Sequence, residues 1–256
     1  MNVEVFLTAS SAAEEDLKGR AVIVVDVLRA CSTLVTALNH GARAVIPVAD
    51  MAEAGKIAAH MDASTCLMGG ERGGLKIDGY TLGNSPQDYT PDVVQGKTVV
   101  LNTSNGTRAF TRARGAAEVA AGCFLNVSKV IEFAWRAESD VAIVCAGSDD
   151  RVSLEDLLCA GLILHQLWNG TEPAQRSDAA HIALTQYTHD RDDLASAIAR
   201  SNHARRLVGL GFADDVAYCA QVDALPLLPV YREGRVVLAD PAAAAVSSKT
   251  VPATAD

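Results

Sequence analysis

Short β-branched runs alternate along this chain with stretches of helical periodicity. Apolar runs at 3–7, 21–25, 44–48, 98–101, 118–121 and 141–144 are the predicted strands. Patterns with helical spacing at 32–39, 51–60, 105–112, 128–137 and 153–168 are the predicted helices. Such alternation predicts an α/β fold with a largely parallel sheet. The run AVIVV at 21–25 is apolar at every position, as a central strand covered on both faces must be. Segments 21–48 and 98–122 read alike: strand, polar turn with Arg, helix, Gly-Ala, strand. Two stretches break the pattern. GGERGGLKIDGYTLGNSP (69–86) is long, Gly-rich and aperiodic, a composition that marks a functional loop and suits a lid. NGTEPAQRS (169–177) reads as a surface linker. The chain is therefore expected to form one domain over 1–239, or two fused α/β subdomains meeting near 169–177, followed by an Ala/Ser-rich loose tail at 240–256.

Composition narrows the classes. With 256 residues, 49% hydrophobic and 21% charged, the chain can bury a core without disulfide or metal. A net charge of −9 speaks against nucleic acid, whose phosphates need a basic footprint. No apolar run approaches the ~20 residues that span a bilayer, so no membrane partner is expected. The N-terminus lacks the basic start of a signal peptide, and the six cysteines include no CxxC, so reduced thiols in the cytoplasm are expected. The six histidines are dispersed, with no HxH or HExxH.

Candidate chemistry lies in the loops that follow the strands, because ligands of open α/β sheets bind at the carboxyl ends. After 21–25 come Asp26 and Arg29. After 98–101 come Asn105, Gly106, Thr107 and Arg108. After 141–144 come Asp149, Asp150 and Arg151. Arginines present forked donors to phosphate, carboxylate or sulfonate. Carboxylates among them make sense if a hard cation such as Mg²⁺ sits between them and a phosphate. The loop 69–86 adds Glu71, Arg72 and Lys76. Ser153 reads as a helix N-cap with Asp156 three residues on. Asp78, Asp88 and Asp92 read as solvated loop charges. Cys145 to Arg151 fits the C-x5-R spacing of cysteine-dependent phosphatases, but Asp149 and Asp150 inside that loop would repel a phosphate, so Cys145 reads as a buried strand-end thiol. No GxxxxGK[ST] and no GxSxG occur.

The segments VVDVLRACSTLVTAL (24–38), GGERGGLKIDGYTLGNSP (69–86), LNTSNGTRAF (101–110) and CAGSDDRVSLEDLLCAG (145–161), with DDVAYCAQVDALPLLP (214–229), resemble the 2-phosphosulfolactate phosphatase family. Its members remove phosphate from 2-phospho-3-sulfolactate on the route to coenzyme M. The likeness departs at Asp150, where a glycine is usual, and at Asn102–Ser104, which varies a Thr-rich run. It implies a three-layer α/β/α architecture around a largely parallel or mixed central sheet, and a Mg²⁺-dependent phosphomonoesterase acting on a small anionic phosphate ester, with room for a homodimer. It further implies Asp26, Glu71 and Asp149 as Mg²⁺ ligands, and Arg29 or Arg151 on the phosphoryl oxygens. Arg72, Lys76 and Arg108 would hold the sulfonate and carboxylate, and Asn105, Gly106 and Thr107 would donate hydrogen bonds. The nucleophile stays open between water and Asp26; Leu28 stands where an aspartyl-phosphatase DxD would need its second Asp, which favours water. Two rivals also stay open: a Mg²⁺ phosphatase of another phosphorylated carboxylate, and a non-catalytic anion-binding protein.

Overall fold

The computed structural model describes residues 2–169 and 176–239, so 170–175 of the expected linker and the expected tail at 240–256 lie outside the described residues. Among the described residues there are ten strands: β1 (Val3–Phe6), β2 (Ala21–Val25), β3 (Ala44–Val48), β4 (Cys66–Arg72), β5 (Leu75–Lys76), β6 (Thr98–Asn102), β7 (Glu118–Gly122), β8 (Val141–Cys145), β9 (Pro229–Arg232) and β10 (Arg235–Leu238). The helices are α1 (Glu14–Leu17), α2 (Ala30–Asn39), α3 (Met51–Ala59), α4 (Pro91–Val94), α5 (Gly106–Arg112), α6 (Val127–Arg136), α7 (Leu154–Trp168), α8 (Asp178–Asp190), α9 (Leu194–Ala199), α10 (Asn202–Gly209) and α11 (Ala213–Cys219). Every predicted strand and helix is found, with ends shifted by up to two residues.

The strands form one mixed sheet in the order β1-β8-β2-β7-β9-β10-β3-β6-β4-β5, the centre of a three-layer α/β fold. It contains two parallel blocks, β1-β8-β2-β7 and β3-β6-β4. The antiparallel hairpin β9–β10 joins them. All of β2 and β8 is buried, because helices cover both faces of these strands and leave no face for polar residues. The two similar sequence segments, β2–α2–β3 and β6–α5–β7, each place one strand in each block. Helix α5 packs on β2, β3 and α2, so the loops after β2 and β6 meet although these strands are not neighbours.

The segment 69–86 is fastened to the sheet edge rather than free as a lid. Glu71 and Arg72 pair with Lys76 and Leu75 in a β4–β5 hairpin. Beyond it, Leu82 N–H donates to the Met68 carbonyl and the Tyr89 hydroxyl to the Gly83 carbonyl. β5, β9 and β10 escape a sequence reading because they are two to four residues long, and β9 and β10 dock on β7 and β3 far away in the chain.

Helices α7 and α8 pack at Gly161, where an added Cβ would lie 2.2 Å from the Ala183 carbonyl oxygen and 2.5 Å from Tyr187 Cβ. Backbone cannot yield as a side chain can. Gly161→Ala is therefore expected to destabilise the protein by about 1–3 kcal/mol, read as a lower thermal midpoint. An unchanged midpoint would show that the two helices are free to separate.

Candidate active site

A cavity of about 50 Å³, room for roughly three or four waters, opens where the loops after β2, β4, β6 and β8 meet α10. Its wall includes Asp26, Arg29, Glu71, Asn84, Thr103, Asn105, Asp149, His203 and Arg206.

Asp26 directly follows the buried strand β2 and is itself buried. Its Oδ1 accepts from Ala30 N–H at 3.0 Å, in the first turn of α2. Burial pushes its carboxyl up to about 7, with repulsion from Glu71 and Glu155 adding to the shift. Gly106, at the start of α5, leaves the space this carboxylate occupies: an added Cβ would lie 2.5 Å from Asp26 Oδ2. Gly106→Ala is expected to push the carboxylate aside and lower kcat by about tenfold or more, since misplacement by about 1 Å costs up to 10²-fold. Steady-state kinetics check this; full activity would mean that Asp26 need not sit where it does.

Arg29 is buried and fully engaged. Its Nη1 donates to Asp215 Oδ2 at 2.7 Å and its Nη2 to the Gly74 carbonyl at 2.7 Å, while the guanidinium lies 4.3 Å from the centre of the Phe212 ring. Asp215 Oδ1 accepts in turn from the Ser85 hydroxyl at 2.7 Å. Glu71 is equally fixed: Oε2 accepts from Gly74 N–H at 2.8 Å and Oε1 from Ser104 N–H at 2.7 Å. That carboxylate ties the β4–β5 hairpin to the loop after β6.

Asp156 corrects the capping expectation. Ser153 makes no side-chain cap bond. The Asp156 carboxylate instead accepts from Val27 N–H at 2.8 Å and Gly147 N–H at 3.0 Å, bridging the loops after β2 and β8. Burial, together with Asp26 and Glu155, pushes its carboxyl well up.

The remaining predicted residues separate. Asn105 lines the cavity, and its Oδ1 faces Asp149 N–H at 3.4 Å. Asp149 stands at the rim, 73% exposed and 3.5 Å from Arg206. Thr107 is buried, with its hydroxyl donating to the Thr103 carbonyl at 2.8 Å. Arg72, Arg108 and Arg151 are exposed and outside the cavity wall. Arg72 donates to the Glu71 and Ala49 carbonyls, Arg108 lies 3.7 Å from Asp150, and the Arg151 backbone closes a turn on Ser148. Lys76 lines an adjoining groove of about 580 Å³ that shares Gly74 and Asn84 with the cavity. Asp78, Asp88 and Asp92 are exposed, as expected.

Cys145 ends β8, buried, its thiol pushed far up by burial with Asp156 and Glu155 adding to the effect. A thiolate nucleophile is disfavoured there; in the C-x5-R loop Asp149 and Asp150 occupy left-handed conformations, at φ of 51° and 58°.

Sequence reading missed Asn84, Thr103, His203, Arg206, Asp156 and Asp215 as parts of the site. His203 and Arg206 lie on α10, which follows no strand, so no topological rule marks them.

Asn84 Oδ1 and Thr103 Oγ1 are buried without hydrogen-bond partners, beside the carboxylates of Asp26 and Glu71. These are hard oxygen donors, and Mg²⁺ commonly uses one or two carboxylates and fills its other positions with water and phosphate. They fit such an ion. Among the described residues no group of three His, Cys, Asp or Glu is spaced to hold a metal, so Asp26, Glu71 and Asp149 do not form a three-carboxylate cage.

The fold and cavity define an α/β protein with buried carboxylates and an anchored arginine in one polar cleft at the strand ends. Residues 6–234 match the family model described as 2-phosphosulpholactate phosphatase, and the chain belongs to that family. It is 42% identical over 224 residues to a probable 2-phosphosulfolactate phosphatase of Symbiobacterium thermophilum, covering 88% of this chain and 96% of that one. A protein of the same name from Caldanaerobacter subterraneus subsp. tengcongensis is 38% identical over 236 residues, 92% of this chain and 98% of its own.

Proposed function

We propose that this protein is a Mg²⁺-dependent phosphomonoesterase that hydrolyses 2-phospho-3-sulfolactate to 3-sulfolactate and phosphate. One observation carries the reading: buried carboxylates and unpartnered oxygens stand beside an immobilised arginine in a cleft of phosphoryl-group size. A non-catalytic anion receptor gains nothing from buried carboxylates, which repel its ligand. The names of the relatives supply the substrate.

Asp26 and Glu71, with Asn84 Oδ1 and Thr103 Oγ1, would hold Mg²⁺. When bound, the ion supplies positive charge against the phosphoryl oxygens and offsets charge in the transition state. Arg29 holds its guanidinium at the cavity wall, where its fixed position requires no reorganisation as charge develops. Arg206 stands at the opening for the carboxylate or sulfonate, taking the role expected of Arg72 and Arg108. Asn105 offers its amide N–H at the wall.

The test is phosphate release from 2-phospho-3-sulfolactate and from other phosphorylated carboxylates, with Mg²⁺ and with EDTA. Release that needs Mg²⁺ and is fastest with 2-phospho-3-sulfolactate is expected. Faster release from another phosphocarboxylate would change the substrate, and EDTA-resistant release would remove the metal. Binding of sulfolactate without turnover of any ester would make the protein a receptor.

A further inference from the structure

The reaction needs more than stabilised phosphoryl charge. The ester oxygen of a hydroxy acid is a poor leaving group, because it departs as an alkoxide unless a proton meets it. His203 is the only histidine in the cavity wall. Its Nδ1 is shielded from solvent and has no hydrogen-bond partner within the protein. A ring nitrogen without exposure faces the protein and not the water-holding cleft, so Nε2 is the nitrogen left to meet a ligand in the cavity.

The support behind it is specific. Ser201 caps α10, its hydroxyl accepting from Ala204 N–H at 3.0 Å, and so fixes the turn that carries His203. Glu155, buried at 1% exposure on the facing helix α7, has one carboxylate oxygen without a partner. Burial pushes its carboxyl up, while the Ser201 hydroxyl and His203 favour its charged form. Around His203 the other charged groups are Arg206 on its own helix and, across the cavity, Asp26, Arg29, Glu71 and Asp149. The arrangement is an imidazole in the cavity wall, on a capped helix, with a buried carboxylate close to it.

On the phosphomonoesterase reading above, we propose that His203 is a catalytic residue, the general acid that protonates the leaving ester oxygen, with Glu155 as its positioning residue. The bond from phosphorus to the ester oxygen breaks as water adds to phosphorus. The ester oxygen takes the proton of protonated His203 and leaves as the hydroxy acid. The water keeps both protons on the phosphate, which departs as H₂PO₄⁻. The neutral imidazole regains a proton from that product or from solvent. No other reactant is needed.

The experiment compares the parent with His203→Gln on two esters under saturating Mg²⁺: 2-phospho-3-sulfolactate, with an alkoxide leaving group, and 4-nitrophenyl phosphate, whose phenolate leaves without a proton. Loss of a general acid should lower kcat on the alkyl ester by about 10²–10⁴-fold and on the aryl ester by less than about tenfold. Circular dichroism and thermal midpoint confirm that the variant folds. If the parent ignores the aryl ester, the bridging ¹⁸O isotope effect on 2-phospho-3-sulfolactate replaces it, and should rise in the variant as the oxygen departs unprotonated. Glu155→Gln should reproduce the same leaving-group dependence more weakly. Equal losses on both esters, an unchanged isotope effect or full activity would overturn the assignment. A parent that hydrolyses no phosphate ester would overturn the phosphatase reading and the role of His203 with it, whereas an active parent with an unaffected variant overturns His203 alone.

Discussion

Replacing Asp26 with asparagine is expected to reduce phosphate release by about 10³-fold or more, while making the metal-free protein more stable at pH 8. Both effects have one cause. The Asp26 carboxylate is buried, near Glu71 and Glu155, and its carboxyl is held up at about 7 against an ordinary value of 3.8. Asparagine keeps an oxygen for the Ala30 N–H and nearly the same shape, but carries no charge to bind a cation or meet the reacting phosphoryl group. The magnitude matches the loss of a principal electrostatic group in a dry site. The sign of the stability change follows from proton linkage. Between pH 3.8 and about 7 the folded protein holds a proton on Asp26 that the unfolded chain releases. Stability from this group is full below 3.8 and is lost as pH rises through about 7. In EDTA, the parent's thermal midpoint should therefore fall over that range, and the Asp26→Asn midpoint should fall less. A gain of about 1 kcal/mol at pH 8 would appear as roughly 2–4 °C in a chain of this size. An active Asp26→Asn protein, or one less stable than the parent at pH 8, would show that this carboxylate is a structural anchor.

Asp215→Ala has the largest expected cost in stability. It leaves the Arg29 guanidinium buried with one of its two strong acceptors gone and strands the Ser85 hydroxyl. Removing one partner of a buried ion pair costs about 3–5 kcal/mol, far more than the pair adds over apolar packing. The double variant Arg29→Met/Asp215→Leu should recover most of that loss, because no buried charge then lacks a partner. It should remain inactive, because the guanidinium at the cavity wall is gone. Denaturant midpoints for the parent, single and double variants separate the two effects. If the single variant loses less than about 1 kcal/mol, water reaches Arg29 and the site is wetter than its burial implies.

Legibility in the sequence depended on how local each constraint was. Strand β2 and its successor Asp26 could be read directly: five consecutive apolar residues, four of them β-branched and bounded by Arg20 and Asp26, read as a covered strand, and a carboxylate at its end has no apolar reason to be there. Glu71 could be read through the motif that carries it. Arg29 was found as a site arginine, but its partner was not, since Asp215 lies 186 residues away and occupies an ordinary helical turn. Arg72, Arg108 and Arg151 looked equivalent to Arg29 because they too follow strands or flank a motif; nothing local says which guanidinium turns inward. Asp156 was misjudged for the same reason, as a carboxylate three residues beyond Ser153 satisfies the capping pattern whether or not it points elsewhere.

The sequence by itself determined the α/β class, most strands and helices of the core, the family, and the loops that line the cavity. These depend on periodicity, burial and short motifs, all of which are properties of neighbouring residues. Only the tertiary structure decided that β9–β10 joins two parallel blocks, that α5 brings the loop after β6 onto Asp26, and that α10 places His203 and Arg206 over the cavity. Those are contacts between distant segments. Their free energy comes mainly from the apolar surface that distant segments bury against one another, which offsets the cost of burying the site's charged groups, and no residue carries that information until the chain has closed around it.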